Sequence, residues 1–436
     1  GEVPGAVYGL GKMGLPLAAV LADVTKNITG VDIDPGVVET IAAGECPVQG
    51  EPGLSGLLDS VIEEDRFEAT TDAAAAAAAA HLHVVIVPTV LDGEKPDLSA
   101  LQAAVEVIGE GLDPGDFVVV ESTVPPGTCR DVVEPELAER SGLDPDEFGL
   151  AFCPERTASG RALQDIRGSY PKVVGGRDEE STRVASLLYG EVTDNEVVPV
   201  TDCLTAECVK LFEGLYRDVN IALANELAKL GGDLGFDANE AMTVASMPAY
   251  CDIHSPGPGV GGHCIPYYPY FVIDSASQET PLLKTARETN EGMPAYTVSL
   301  LEDALEANGV ALEDATVALL GITYRAGVDE VRAAPAFPIA SMLTDAGADV
   351  YAADPVCSDA EGLTAERVTI DLVPALDPDA AVVVTAHEEF RTIGWDQMED
   401  AIVLDGRQMF RDGELPQPVY HLGNGSRGPK TAEDTT

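Results

Sequence analysis

Ala6-Val7-Tyr8-Gly9-Leu10-Gly11-Lys12-Met13-Gly14-Leu15-Pro16-Leu17 decides the fold class. Three apolar residues read as a buried strand, three glycines as a turn, and the run from Leu15 to about Ala22 as a helix. The first glycine permits the tight turn, the second lets a pyrophosphate approach the backbone, and the third lets helix and strand pack. The helix N-terminus then offers unpaired N–H groups to phosphates. Asp32 closes a second strand, Ile28-Thr29-Gly30-Val31-Asp32, where its carboxylate can accept from both ribose hydroxyls and repel a 2′-phosphate. Strand, turn, helix and acid predict an NAD site at Gly9, Gly11, Gly14 and Asp32. The plainer alternative is a glycine turn beside a helix-capping aspartate.

Working outward, the alternation continues. Val84-Val85-Ile86-Val87 and Phe117-Val118-Val119-Val120 read as buried strands, each followed by a threonine loop, Pro88-Thr89 and Glu121-Ser122-Thr123. Ligands bind at that edge of a doubly wound sheet, which makes Thr89 and Thr123 cofactor-side candidates, although each alone also fits a turn or cap. The alanine run Ala73 to Ala80 suits a helix better than a linker. From about Thr201 to Gly231, Cys208, Leu211, Phe212, Leu215, Val219, Ala222, Leu223, Leu227 and Leu230 repeat at helical spacing, with Gly231-Gly232 expected to end the helix. Strand–helix alternation resumes at Val317-Ala318-Leu319-Leu320-Gly321 and runs to Ala401-Ile402-Val403-Leu404. The expected architecture is α/β: two Rossmann-like doubly wound domains joined by a long central helix and a helical middle domain. Its expected divisions are 1–200, 201–308, 309–425 and a tail, 426–436.

Acids number 75 against 25 bases, a net charge of −50. Such a surface repels nucleic-acid phosphates and anionic lipids, so neither is expected as a partner. The acids recur along helices with apolar spacing intact, as in Leu301-Glu302-Asp303-Ala304-Leu305, the pattern of a folded protein coated in carboxylates and of extreme halophiles. No apolar run approaches a membrane span and no signal peptide opens the sequence, so a soluble, cytoplasmic protein is expected. Eight scattered cysteines suggest no disulfide framework. A zinc site built from Cys251, His254, His263 and Cys264 would need two adjacent residues as ligands, an awkward geometry, and no metal is expected.

Cys264 sits in Gly257-Pro258-Gly259-Val260-Gly261-Gly262-His263-Cys264-Ile265-Pro266, where the backbone lacks side chains that would hold a ligand away. Beside a dinucleotide fold, a thiol so placed suggests a four-electron oxidation. Once a primary alcohol has become an aldehyde, no second hydride can leave until something adds to the carbonyl. A thiolate can add, giving a thiohemiacetal, then a thioester that water hydrolyses to the acid.

This loop resembles the active-site loop of the UDP-glucose/GDP-mannose dehydrogenase family, and its Gly-Gly-His-Cys-Ile form is most similar to members that oxidise UDP-N-acetylhexosamines. The resemblance spans about Val7 to Leu404, with motifs in family order. It implies that Cys264 is the nucleophile, that Lys210 in Lys210-Leu211-Phe212-Glu213-Gly214-Leu215-Tyr216-Arg217 is the catalytic lysine, and that Glu155 in Phe152-Cys153-Pro154-Glu155-Arg156 positions the hydrolytic water with Thr123. It also implies sugar contacts from Gly261, Gly262 and His263, and from Arg332, which would touch the substrate or a neighbouring subunit. By themselves, Lys210 would read as an exposed helix lysine and Glu155 as a surface acid. Two positions depart from the family: Gly214 stands where Asn is usual and Tyr268 where Asp is usual, and Arg332-Ala333-Ala334-Pro335 is altered as well.

The expectation is an NAD-dependent dehydrogenase oxidising a UDP-N-acetylhexosamine, foremost UDP-N-acetyl-D-mannosamine, at C6. A homodimer or higher oligomer would form through the central helix. The alternatives are UDP-glucose or UDP-N-acetylglucosamine as substrate, a two-electron β-hydroxyacid dehydrogenase, and a non-catalytic nucleotide-sugar binder.

Overall fold

The computed structural model describes residues 3–158, 160–411 and 413–424; the expected tail, 426–436, lies outside them. Two compact units emerge, one running to Glu213 and including Tyr270–Ser277, the other comprising Gly214–Pro269 and the residues from Gln278 onward.

The first unit carries an eight-stranded sheet, in the order Val197–Pro199, Lys172–Gly176, Gly149–Phe152, Phe117–Val120, Leu82–Val85, Gly5–Tyr8, Ile28–Val31 and Phe67–Thr70. Its neighbours pair in parallel except Gly149–Phe152 with Lys172–Gly176, which run antiparallel. Helices cover both faces, so the inner strands are buried on both sides and read as unbroken apolar runs. Phe117-Val118-Val119-Val120, for example, is buried throughout. Burying valines such as Val84 and Val119 completely stabilises by roughly 2 kcal/mol each. The chain reverses its sheet order between Gly5–Tyr8 and Leu82–Val85, opening a crevice beyond their carboxyl ends. Helix Gly14–Thr25 starts there. The alanine run forms helix Ala73–Ala79, capped by Asp72, which accepts from the Ala75 N–H at 3.0 Å.

The second unit holds an all-parallel sheet in the order Glu366–Arg367, Asp349–Ala353, Thr316–Leu320, Ala380–Val383, Ile402–Asp405, Val419–His421. At the end of its second strand, Asp354 occupies the place that Asp32 holds in the first unit. One Asp354 oxygen accepts from the Ile322 and Thr323 N–H groups at 2.8 and 2.9 Å and from the Thr323 hydroxyl at 3.0 Å, and lies 3.1 Å from His387 Nε2. The other accepts from Val356 and Cys357. Both oxygens thus accept from the protein, bracing the turn after this strand.

The long helix, Cys203–Leu234, begins in the first unit and continues into the second. At 32 residues it is about 48 Å long. Contrary to the sequence expectation, it passes through Gly231-Gly232. A Cβ on Gly231 would meet the Gly423 carbonyl oxygen at 2.6 Å and the Ala238 Cβ at 2.7 Å, so this glycine serves close packing. Termination falls to Gly235, in the left-handed region at φ 78°, whose N–H closes on the Gly231 carbonyl at 2.9 Å.

Candidate active site

In the first unit the glycine loop is held from several sides. Gly9 has φ 100°, and a Cβ there would lie 2.5 Å from the Ile86 carbonyl oxygen. A Cβ on Gly14 would lie 1.9 Å from the Gly9 oxygen, which fixes how closely helix and strand approach. A Cβ on Gly11 would meet no atom within 4 Å, so its backbone faces open space that a ligand can enter. Asp32 accepts from the Leu10 N–H at 2.7 Å with one oxygen and from the Asp34 N–H at 2.9 Å with the other, locking the loop's register. The helix cap is Asp34, which accepts from Gly36 at 2.8 Å; Asp32 is left with lone pairs for a ribose. Across the crevice, the Thr89 hydroxyl donates to the Thr123 carbonyl at 2.5 Å, and the Ser122 hydroxyl donates to the Val87 carbonyl at 2.8 Å. An open glycine cradle, a helix N-terminus and a strand-end carboxylate together fit a dinucleotide.

Lys210 and Glu155 are brought together in the same unit. Lys210 is 8% exposed, not the solvent lysine its helix position allows. Its ammonium donates to the Glu155 carbonyl and lies 3.6 Å from the Glu155 carboxylate. That carboxylate also accepts from the Thr157 N–H, so its orientation is fixed from two sides. Three residues before Lys210, fully buried Glu207 accepts from the Gly127 and Cys129 N–H groups at 2.6 and 2.8 Å, pinning the helix to the loop beyond Thr123. Burial pushes the Glu207 carboxyl up, and those two N–H groups pull it back. A buried ammonium beside an oriented carboxylate can stabilise an oxyanion or pass a proton.

In the second unit the Gly257–Pro266 loop is tethered along its length. The Gly257 N–H donates to Asn225, which is tied through Asn290 to Asp218 and Arg287. The Arg407 guanidinium donates to the Val384 carbonyl at 2.8 Å and the Gly259 carbonyl at 3.3 Å; burial pushes its pKa down to about 10, so it stays cationic at neutral pH. The Gly262 N–H donates to the Arg332 carbonyl at 2.8 Å, and His263 Nε2 lies 3.1 Å from Glu330. Side chains at 261 would strike Tyr324, 2.6 Å away. Gly261, Gly262 and His263 are therefore gathered on the Glu330–Ala333 segment, with Arg332 contributing its backbone to the gathering. Among the eight cysteines, Cys264 is the exposed one. Its carbonyl accepts from Tyr267 and Tyr268, opening helix Tyr268–Ser275. Among the described residues no three His, Cys, Asp or Glu converge as metal ligands.

The two departures from the family are one contact. A Cβ on Gly214 would lie 2.4 Å from Tyr268 Cδ2, so the tyrosine ring stands where a side chain at 214 would be. Sequence reasoning treated them as separate losses. It also passed over Glu207, which looks like any helix acid, and Arg407, whose one signal is its place just after strand Ile402–Asp405.

Comparison with known proteins agrees with this geometry. Three models of one family match in order: the NAD binding domain of the UDP-glucose/GDP-mannose dehydrogenase family over residues 5–193, its central domain over 204–292 and its UDP binding domain over 318–412. The UDP-N-acetyl-D-mannosamine dehydrogenase of Pyrococcus horikoshii is 34% identical over 96% of this chain and 99% of its own. The NDP-N-acetyl-D-galactosaminuronic acid dehydrogenase of Ralstonia nicotianae is 32% identical over 93% and 96%. A solved structure of UDP-D-ManNAc dehydrogenase from Pyrococcus horikoshii superposes with a TM-score of 0.88 at 32% identity, covering 97% of this chain and 100% of that one. The chain belongs to the UDP-glucose/GDP-mannose dehydrogenase family and is an NAD-dependent oxidoreductase of nucleotide sugars.

Proposed function

We propose that the chain oxidises UDP-N-acetyl-D-mannosamine at C6 to the uronate through a covalent Cys264 intermediate. The observation that carries the covalent step is the exposure of Cys264 while the other seven cysteines are buried or half-buried. The mannosamine assignment is supported by relatives of that activity at about one-third identity along nearly the whole chain. Two molecules of NAD, bound in succession, would each accept one hydride. Gly9, Gly11 and Gly14 would hold the pyrophosphate of each and Asp32 its ribose, with Thr89 and Thr123 on the nicotinamide side. The Cys264 thiolate adds to the aldehyde carbon; loss of the second hydride, together with the hydroxyl proton of the thiohemiacetal, leaves a thioester. Lys210 steadies the oxyanions, and Glu155 with Thr123 orients the water that cleaves the thioester, returning the thiol and releasing the carboxylate. Gly261, Gly262, His263 and Arg332 hold the sugar nucleotide, with Arg407 as a further cation for its phosphates.

A homodimer through the central helix belongs to the same reading. Tyr216, Leu223, Leu230 and Leu234 are 55, 49, 41 and 65% exposed along it, a stripe that a second copy would cover. Eight free thiols suit a reducing compartment, hence the cytoplasm; among the described residues no helix is long and apolar enough to cross a membrane. Divisions near residues 200 and 308 belong to the same reading. Counting NADH per UDP-sugar over a panel tests the function. Two per UDP-N-acetyl-D-mannosamine is expected; two per UDP-glucose, or per UDP-N-acetylglucosamine, with none from the mannosamine would reassign the sugar, and none from any would indicate a binder.

A further inference from the structure

Glu155 follows strand Gly149–Phe152 on a connector with no helix or strand of its own. Two backbone bonds, from the Cys153 N–H to the Val120 carbonyl at 3.0 Å and from the Glu155 N–H to the Glu121 carbonyl at 3.5 Å, tie it to the neighbouring strand's end, and side chains grip the rest of its backbone. Two of the chain's eight lysines do so at three consecutive carbonyls. Lys172 donates to the Cys153 carbonyl at 3.1 Å and the Pro154 carbonyl at 3.4 Å; Lys210 donates to the Glu155 carbonyl. Lys172 is itself held. It donates to the buried Glu121 carboxylate at 2.8 Å and lies 4.3 Å from the centre of the Tyr189 ring, and the Tyr189 hydroxyl donates to the other Glu121 oxygen. Glu121 is 2% exposed and Tyr189 1%. Glu121, Glu155, Lys172 and Tyr189 line one cavity.

Burying such a pair seldom adds stability over apolar residues of the same size, so stability alone does not account for it. What the cluster does is aim an ammonium at the backbone immediately before Glu155. We infer that Lys172, clamped by Glu121 and Tyr189, is a positioning residue that fixes the Cys153–Glu155 segment and so aims the Glu155 carboxylate at the hydrolytic water. This rests on the role given to Glu155 above. Lys172 touches none of the reacting atoms and acts through the backbone it holds.

The test uses the full chain with Lys172→Met, Lys172→Arg and the double variant Lys172→Met/Glu121→Gln, which removes the ion pair without leaving a buried charge unpaired. Amide hydrogen exchange reads positioning directly. Exchange at residues 155–157 should rise at least tenfold over wild type in Lys172→Met and in the double variant, with Phe117–Val120 unchanged, and return towards wild type in Lys172→Arg. Rapid-quench kinetics read the consequence. A misplaced catalytic group can cost about 100-fold, so steady-state turnover should fall by that order in Lys172→Met while the first NADH phase keeps its rate. Unchanged exchange at 155–157 in both Met variants overturns the inference, whatever the activity does. Raised exchange with unimpaired thioester hydrolysis supports Lys172 as the clamp and instead removes Glu155 from the water-handling role. Equal loss of both kinetic phases, with exchange raised throughout the sheet, marks general unfolding and overturns the inference also.

Discussion

Gly214→Ala is the most discriminating perturbation of the second unit. In the middle of a helix, glycine is worse than alanine by about 1 kcal/mol, so the substitution should stabilise Cys203–Leu234 if nothing faces it. Tyr268 does face it. The added methyl would sit 2.4 Å from Cδ2, 3.2 Å from Cγ and 3.3 Å from Cβ of a ring belonging to a residue only 7% exposed. Forcing extra atoms into packed surroundings costs typically about 1–3 kcal/mol, which cancels or exceeds the helix gain. With Tyr268→Ala the ring atoms go and only the Cβ contact at 3.3 Å stays, so most of the gain of about 1 kcal/mol returns. Both substitutions and their combination therefore form a cycle with a coupling of about 1–3 kcal/mol, well above the few tenths seen between independent sites. Native-state hydrogen exchange over residues 210–225 at fixed potassium chloride reads the local stability without requiring the two units to unfold together. Because the Tyr268 N–H bonds to the Cys264 carbonyl, the rate of Cys264 alkylation should also change in Gly214→Ala. Stabilisation by the same amount in both backgrounds would mean that the Tyr268 ring does not obstruct position 214. The corollary concerns function: Gly214→Asn alone should be damaging, whereas Gly214→Asn with Tyr268→Asp should be tolerated and should speed steady-state turnover without altering the first NADH phase.

Asp32→Ala should weaken NAD more than NADP, since a ribose partner and a repulsion for the 2′-phosphate leave together; titration calorimetry with both cofactors checks this, and equal losses would reduce Asp32 to a brace for Leu10 and Asp34. With 75 acids and 25 bases, the melting temperature should climb from dilute to molar potassium chloride as the carboxylates are screened, and a flat or falling trend would contradict the halophile expectation. Burial pushes the Asp354 carboxyl up, but hydrogen bonds from His387 and from the Thr323, Val356 and Ile322 N–H groups outweigh it and hold the group well below the usual carboxylate range. A depressed carboxylate contributes stability that is present above its unfolded value, roughly pH 4, and is lost as pH falls below it. Asp354→Asn should thus cost most near neutrality, with the gap to wild type narrowing in acid melts; a gap independent of pH would remove Asp354 from the acid response.

The first unit was the most legible part of the sequence, because its chemistry is local. Gly9, Gly11 and Gly14 lie within six residues, and Asp32 ends the next strand. The misread helix end has the opposite cause. Gly231 looks like a terminator from its neighbours, yet its reason is the Gly423 carbonyl, nearly two hundred residues away in the chain. Gly214 and Tyr268 likewise make sense as a pair, and a single sequence shows no sign that one occupies the space of the other. The Glu121–Lys172–Tyr189 cluster joins a loop, a strand and a helix position whose residue types are ordinary singly. Lys210 was found through family resemblance; its burial, which distinguishes it from a solvent lysine, comes from packing that helical periodicity does not report.

The NADH yield of Cys264→Ala decides whether Cys264 carries the reaction covalently. Wild type should release two NADH for each UDP-N-acetyl-D-mannosamine converted to the uronate. Cys264→Ala should form no uronate, while binding NAD as wild type does, because the Gly9–Gly14 loop and Asp32 are untouched. A Cys264→Ala enzyme that still returned two NADH per sugar would contradict the thioester and the mechanism built on it.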